Sequence, residues 1–223
     1  MEKYFDLLLT SPLFAGISRE ELSSLLNCLQ ARVLRFGKGE PVFLEGDPAG
    51  FVGFVLEGAV QIVRDDYYGS RSILGHGEAG DLFAEAYACA DVSVMPVSGY
   101  ALRESRVMFL ECQKMMTVCS GACGFHNRLV KNLLQVMAGK NLNLSRKIQF
   151  MSRKTTRQKL MAYLLEEAKQ AGSPEFTIPF DRQTLADYLG VERSAMSTEL
   201  GKLRKEGILV TTGSKFRLLA EQG

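Results

Sequence analysis

The sequence predicts an α+β chain in three parts: an N-terminal double-stranded β-helix (jelly-roll), a long helix, and a C-terminal winged helix-turn-helix. Three observations carry this. Short apolar runs punctuated by glycine occupy Arg32 to Glu111; an apolar repeat of period seven runs from Val130 to Met151; and Asp181 to Val210 reads DRQTLADYLGVERSAMSTELGKLRKEGILV. The expected boundaries are residues 1–125, 126–151 and 152–223.

In the first part, Gly37, Gly39, Gly46, Gly50, Gly53, Gly58, Gly69, Gly75, Gly77 and Gly80 break the chain into short strands. Dense turns between short apolar runs predict a compact antiparallel roll or barrel. Ahead of it, Ser18 followed three positions on by Glu21 is a capping-box signal. Leu22, Leu25, Leu26 and Leu29 then share one helix face, predicting a capped amphipathic helix packed on the roll.

In the second part, Leu134, Asn141 and Ile148 recur at seven-residue intervals, as do Val130, Met137, Leu144 and Met151. With the first set at a and the second at d, the seam predicts a parallel two-stranded coiled coil, hence a homodimer, with Asn141 a polar a-position residue that favours one register. A single long helix packed on its own roll is the rival source of such a stripe.

In the third part, Arg182 to Leu189 forms a first helix with Leu185, Ala186 and Leu189 on one face, and Gly190 supplies the turn. A second helix from Arg193 to Glu206 buries Met196, Leu200 and Leu203 and turns Arg193, Ser194, Ser197, Thr198 and Lys202 outward. These are polar groups suited to base edges and phosphates. Ile208 to Val210 and Lys215 to Leu219, joined through Thr212, Gly213 and Ser214, predict a two-stranded wing. Any antiparallel helix pair around a glycine gives the same buried positions, and Glu199 stands where many such motifs carry an apolar residue.

Charge supports nucleic acid independently. The net charge is only +2, but residues 1–112 hold 9 Lys and Arg against 16 Asp and Glu, whereas residues 113–223 hold 18 against 9. No acid occurs between Gln113 and Leu165, where Lys114, Arg128, Lys131, Lys140, Arg146, Lys147, Arg153, Lys154, Arg157 and Lys159 all lie. Arg153, Lys154 and Arg157, with Lys202 and Lys215, are the candidate phosphate contacts; a solvated helix face is the alternative. The start MEKYFDLLL lacks the form of a secretory signal and no stretch approaches a membrane span, so a cytoplasmic protein is expected. Five cysteines, an odd number, fit a reducing compartment better than a disulfide framework.

In this order the motifs GKGEPVFLEGDPAGFVGFVLEGAVQIV (37–63), GDLFAEA (80–86), the long helix and the helix-turn-helix resemble the CRP/FNR transcription regulators over nearly the whole length. The form RSAMSTEL looks most like regulators of anaerobic Gram-positive bacteria. The resemblance implies an effector-binding roll, a dimerising helix, palindromic double-stranded DNA as partner, RNA polymerase as a further partner, and a small-molecule or redox effector.

Where cyclic-nucleotide binders of the family hold phosphate, this chain departs. The cassette wants a glycine amide beside a ribose-binding glutamate, then an arginine and a small hydroxyl residue. The matching positions read Ala84 and Glu85, then Met95 and Pro96. A buried phosphate without its arginine costs several kcal/mol, roughly, so cyclic AMP is not expected. Arg103 and Arg106 lie too far along the chain to match. Asn141 and Asn143 are further candidate effector contacts, pointing to an uncharged or cationic ligand.

Iron–sulfur sensors of the family carry an N-terminal cysteine cluster, and Cys28 alone precedes residue 89. Cys119, Cys123 and His126, spaced i, i+4 and i+7, could line one helix face as metal or haem ligands. Cysteines beside the SGACG bend are read instead as packing residues, so no metal and no cofactor are assigned. No paired catalytic carboxylates, nucleophile elbow or phosphate loop is present, and no catalytic residue is assigned. A cupin-like oxygenase would need two or three clustered histidines, and only His76 and His126 exist. A non-specific structural DNA binder remains the other alternative.

Overall fold

In the computed structural model, which describes residues 1–67, 71–117 and 124–219, the chain divides into two units, Met1–Gly139 and Lys140–Gly223. Short 3-10 turns at Glu2–Tyr4 and Pro12–Phe14 flank helix α1 (Phe5–Thr10), and α2 (Arg19–Cys28) follows. The Ser18 hydroxyl accepts the Glu21 N–H while the Glu21 carboxylate accepts that of Ser18, the expected capping box. Leu22, Leu25, Leu26 and Leu29 are all buried.

Among the described residues eight strands make the roll: β1 (Arg32–Phe36), β2 (Pro41–Phe43), β3 (Phe51–Glu57), β4 (Ala59–Asp65), β5 (Arg71–Glu78), β6 (Leu82–Phe83), β7 (Ser98–Ala101) and β8 (Ser105–Glu111), with α3 (Glu85–Cys89) between β6 and β7. They pair antiparallel in two four-stranded sheets, β1-β8-β3-β6 and β2-β7-β4-β5. Phe43, Val55, Val60, Phe83 and Val107 from the strands, with Met95 and Val97 from the segment before β7, meet in one apolar cluster. Phe43 and Phe83 stack there with centroids 6.0 Å apart. Two strand glycines make room for these rings: a Cβ on Gly53 would lie 2.1 Å from Phe83, and one on Gly99 2.3 Å from Phe43.

A second cluster joins α1 and α2 to the outer faces of β3 and β8, to α4 (Cys112–Met116) and to the start of α5 (Gly124–Met151) through Leu129 and Leu133. The Asn132 amide fastens α5 further, donating to the carbonyls of Leu13 (3.0 Å) and Ala15 (2.9 Å).

The second unit holds α6 (Thr156–Ala171), β9 (Glu175–Thr177), α7 (Arg182–Leu189), α8 (Arg193–Lys205), β10 (Leu209–Thr212) and β11 (Lys215–Leu218). The expected two-stranded wing is a three-stranded sheet, ordered β10-β11-β9. Strand β9 is three residues long, and Phe176 at its centre turns inward, buried against Phe216 with centroids 6.0 Å apart. Among the described residues no helix is long and apolar enough to cross a membrane.

Candidate nucleic-acid interface and effector-binding roll

Local chemistry sets the helix pair. The Asp181 carboxylate caps α7 by accepting the Thr184 N–H at 2.8 Å, and that hydrogen bond holds its carboxyl below the usual aspartate range. Gly190 ends α7 at φ +60°, a left-handed conformation that favours glycine, and Val191 N–H returns to the Ala186 carbonyl. Leu185, Ala186 and Leu189 meet Met196, Leu200 and Leu203 in one buried cluster with Leu160, Tyr163 and Phe216.

That packing fixes the rotation of α8. Arg193, Ser194, Ser197, Thr198 and Lys202 all stand exposed. The Thr198 hydroxyl donates to the Ser194 carbonyl at 3.0 Å, which leaves its oxygen lone pairs to accept from a base amino group. Glu199, the departure noted in the sequence, does not enter the core: it is half-buried on the helix flank, where its carboxylate accepts from Lys202 Nζ at 2.6 Å.

The phosphate candidates divide. Arg153, Lys154 and Lys215 are exposed, the first two at the turn where the Thr155–Gln158 capping box opens α6. Arg157 and Lys202 are already engaged, Arg157 forking onto Glu206 (2.9 Å for one arm) and holding that carboxyl below its ordinary range. An open cleft of about 670 Å³, lined by Lys154, Thr155, Thr156, Arg157, Ala195, Thr198 and Glu199, joins the start of α6 to the exposed face of α8.

Much of the basic run proves structural. Lys159 donates to the Leu189 and Gly190 carbonyls at the end of α7, Lys147 lies 5.3 Å over the Tyr188 ring, and Arg128 pairs with Glu21. Sequence reasoning missed Arg182, which ties α7 to the wing by donating to Thr211 Oγ1 (2.8 Å) and the Gly213 carbonyl (2.9 Å) while lying over Phe216.

Along α5, Leu134, Leu144 and Ile148 keep 58–59% of their surface in solvent, and Met151 41%. Val130 and Met137 are half-buried, and Met137 packs partly on the core of its own chain, so the rival single-chain reading holds for part of that seam residue's surface. Asn141 and Asn143 are exposed. Leu142, outside the expected seam, is 60% exposed and widens the apolar stripe.

In the roll, Ala84 takes a left-handed conformation (φ +63°) to cap α3, and Glu85 is buried. The segment thus keeps the turn for which glycine is suited, with a methyl group in its place. Met95 is a packed core residue and Pro96 is exposed. The two arginines beyond the motif are held elsewhere: Arg103 by Glu78 and the Gly58 carbonyl, Arg106 by Glu57 at 3.2 Å. Arg71 forks onto Asp65 and lies over Tyr100.

His126 is buried with Nε2 2.9 and 3.1 Å from the Lys114 and Met115 carbonyls, so Nε2 carries the proton and the ring fastens α5 to α4. Its companions in the metal reading, Cys119 and Cys123, lie outside the described residues. Among the described residues no group of three or more potential ligands could hold a metal ion.

Residues 33–121 match the model of the cyclic nucleotide-binding domain, and residues 158–223 that of the Crp-like helix-turn-helix domain. The cyclic AMP receptor protein of Thermus thermophilus is 25% identical over 199 residues, covering 89% of this chain and 88% of that protein. The fumarate nitrate reduction regulatory protein of Klebsiella oxytoca is 24% identical over 202 residues, covering 88% and 78%. Among solved structures, the c-di-GMP responsive global regulator CLP of Xanthomonas campestris superposes with a TM-score of 0.56 at 18% identity, covering 89% of this chain and 99% of that one, a likeness of fold. With both domains in this order on one chain, the protein belongs to the CRP/FNR group of DNA-binding transcription regulators with an effector-binding domain.

Proposed function

We propose that the protein works as a homodimer joined along α5, reads a palindromic operator, and is controlled by a small-molecule effector other than a cyclic nucleotide. The observation that carries the dimer is the uncovered stripe of Leu134, Leu144, Ile148 and Met151. Full burial of such a side chain from water is worth roughly 1.5–3 kcal/mol, of which about half is still to be gained here, and a second copy of the same seam supplies that cover. The parts would then be residues 1–125, 126–151 and 152–223, an effector roll, a dimerising helix and a reader.

In this reading Arg193, Ser194, Ser197 and Thr198 contact base edges. Arg153, Lys154 and Lys215 hold phosphate, and Arg157 and Lys202 join them by exchanging their carboxylate partners for phosphate. The protein acts in the cytoplasm by contacting RNA polymerase or its promoters and turns over no substrate.

The effector is uncharged or cationic. The buried Glu85 carboxylate is retained, while Met95 and Pro96 offer no charge to a phosphate and Arg103 and Arg106 are spent on Glu78 and Glu57. Ala84, beside Glu85 at the start of α3, completes the proposed contacts within the roll. Calorimetry of the dimer with cyclic AMP and cyclic GMP tests this: dissociation constants no tighter than about millimolar, roughly −4 kcal/mol, are expected. Micromolar binding would overturn the proposal.

A further inference from the structure

We propose that Cys89 and Cys112 are an oxidisable dithiol, closing to an intramolecular disulfide when a peroxide or a low-molecular-weight disulfide reaches them. Their Sγ atoms stand 3.5 Å apart as free thiols, so bond formation closes a gap of about 1.5 Å. Both residues sit at helix ends, Cys89 as the last residue of α3 and Cys112 as the first of α4. A surface cleft of about 190 Å³, lined in part by Asp91, Gln113, Met116 and Thr117, has both sulfur-bearing residues in its wall, which gives a small oxidant its approach.

The two thiols differ in a way that orders the chemistry. Cys112 is buried, and burial, reinforced by its contact with Cys89, pushes its thiol up to about 12. It stays protonated, and the half-buried Cys89 is the sulfur that meets oxidant first. With a peroxide, the O–O bond breaks as one oxygen passes to the Cys89 sulfur, giving a sulfenic acid and water (or the alcohol of an organic peroxide). The Cys112 sulfur then attacks, the S–O bond breaks, and the hydroxyl leaves as water with the Cys112 proton. The two thiols lose two electrons and the peroxide takes them. With a low-molecular-weight disulfide, Cys89 attacks one sulfur, its S–S bond breaks and one small thiol leaves. Cys112 then displaces the second from the mixed disulfide, so that the small disulfide takes the two electrons and both protons. The resulting bond pins the end of α3, the helix that opens with Glu85, to the start of α4.

Peptide mapping distinguishes this pair from every other. Tryptic cleavage puts Cys89 in residues 72–103, Cys112 in 107–114, and Cys119 and Cys123 together in 115–128. Full-length protein is treated with hydrogen peroxide or oxidised glutathione, acid-quenched, blocked with N-ethylmaleimide and digested. The expected product is the 72–103/107–114 cross-link, lighter by two hydrogens than its two thiol peptides, lost on treatment with dithiothreitol and absent from Cys89→Ser. A dominant cross-link to residues 115–128, or Cys89 and Cys112 remaining alkylatable or oxidised without bonding to each other, would overturn the assignment. Because wild-type protein gives the decisive product, instability of a Cys112→Ser variant does not affect the outcome.

Discussion

Arg193 and Lys202 stand on the same exposed face of α8, yet their surroundings give them different work. Arg193 opens the helix and is the proposed base reader, whereas the Lys202 ammonium shares its charge with Glu199 at 2.6 Å. Arg193→Ala should relax preference at one operator position and cost about 1–3 kcal/mol, while Lys202→Ala weakens all sequences alike. Binding measured on a panel of single-base operator variants separates the two, and a uniform loss for Arg193→Ala would remove it from the reading set. In the roll, Gly53→Ala forces a methyl into the Phe83 ring, and we expect a loss of about 1–3 kcal/mol in urea unfolding. An unchanged midpoint would mean that the ring has room to move.

At the residue scale the sequence showed which α8 positions face outward, because Met196, Leu200 and Leu203 fix the helix rotation. It did not show which cations are already spent. The partners of Arg157, Lys159 and Arg128 lie 49, 30 and 107 positions away, and only folding brings them together.

Among the elements, those with strong local signals were legible. The capping box of α2, the helix from Arg182 to Leu189 and the glycine at its end follow from short-range chemistry that a single sequence displays. Strand β9 was not legible, since its pairing with β11 depends on Phe176 meeting a ring 40 positions later. Helix α5 lies between these cases. Its repeat announced a seam, and the structure leaves Leu134, Leu144 and Ile148 uncovered while lending part of Met137 to the first unit's core. Substitution is therefore best aimed at positions that owe nothing to their own chain: Leu134→Asp with Leu144→Asp should give monomers in sedimentation velocity with the helical circular dichroism largely retained. Dimers of unchanged affinity would place the interface elsewhere.

On the scale of the whole molecule, the order of its parts was written in composition. An acidic, glycine-rich first half folds as the roll, and a basic second half carries the reader. The ligand was not written there, since Glu85 persists beside Ala84 while Met95 serves the roll core, and residues that exclude one ligand do not name another. A dimer joined along α5 presents two copies of α8, so its preferred DNA must be an inverted repeat with half-sites roughly 34 Å apart, one helical turn. Selection of random duplex DNA on the purified protein at physiological salt, in the presence of a cell extract that supplies effector, tests this directly. Enrichment of one palindrome with that spacing is expected; enrichment of a single unrepeated half-site, or of no sequence at all, would contradict a two-fold reader.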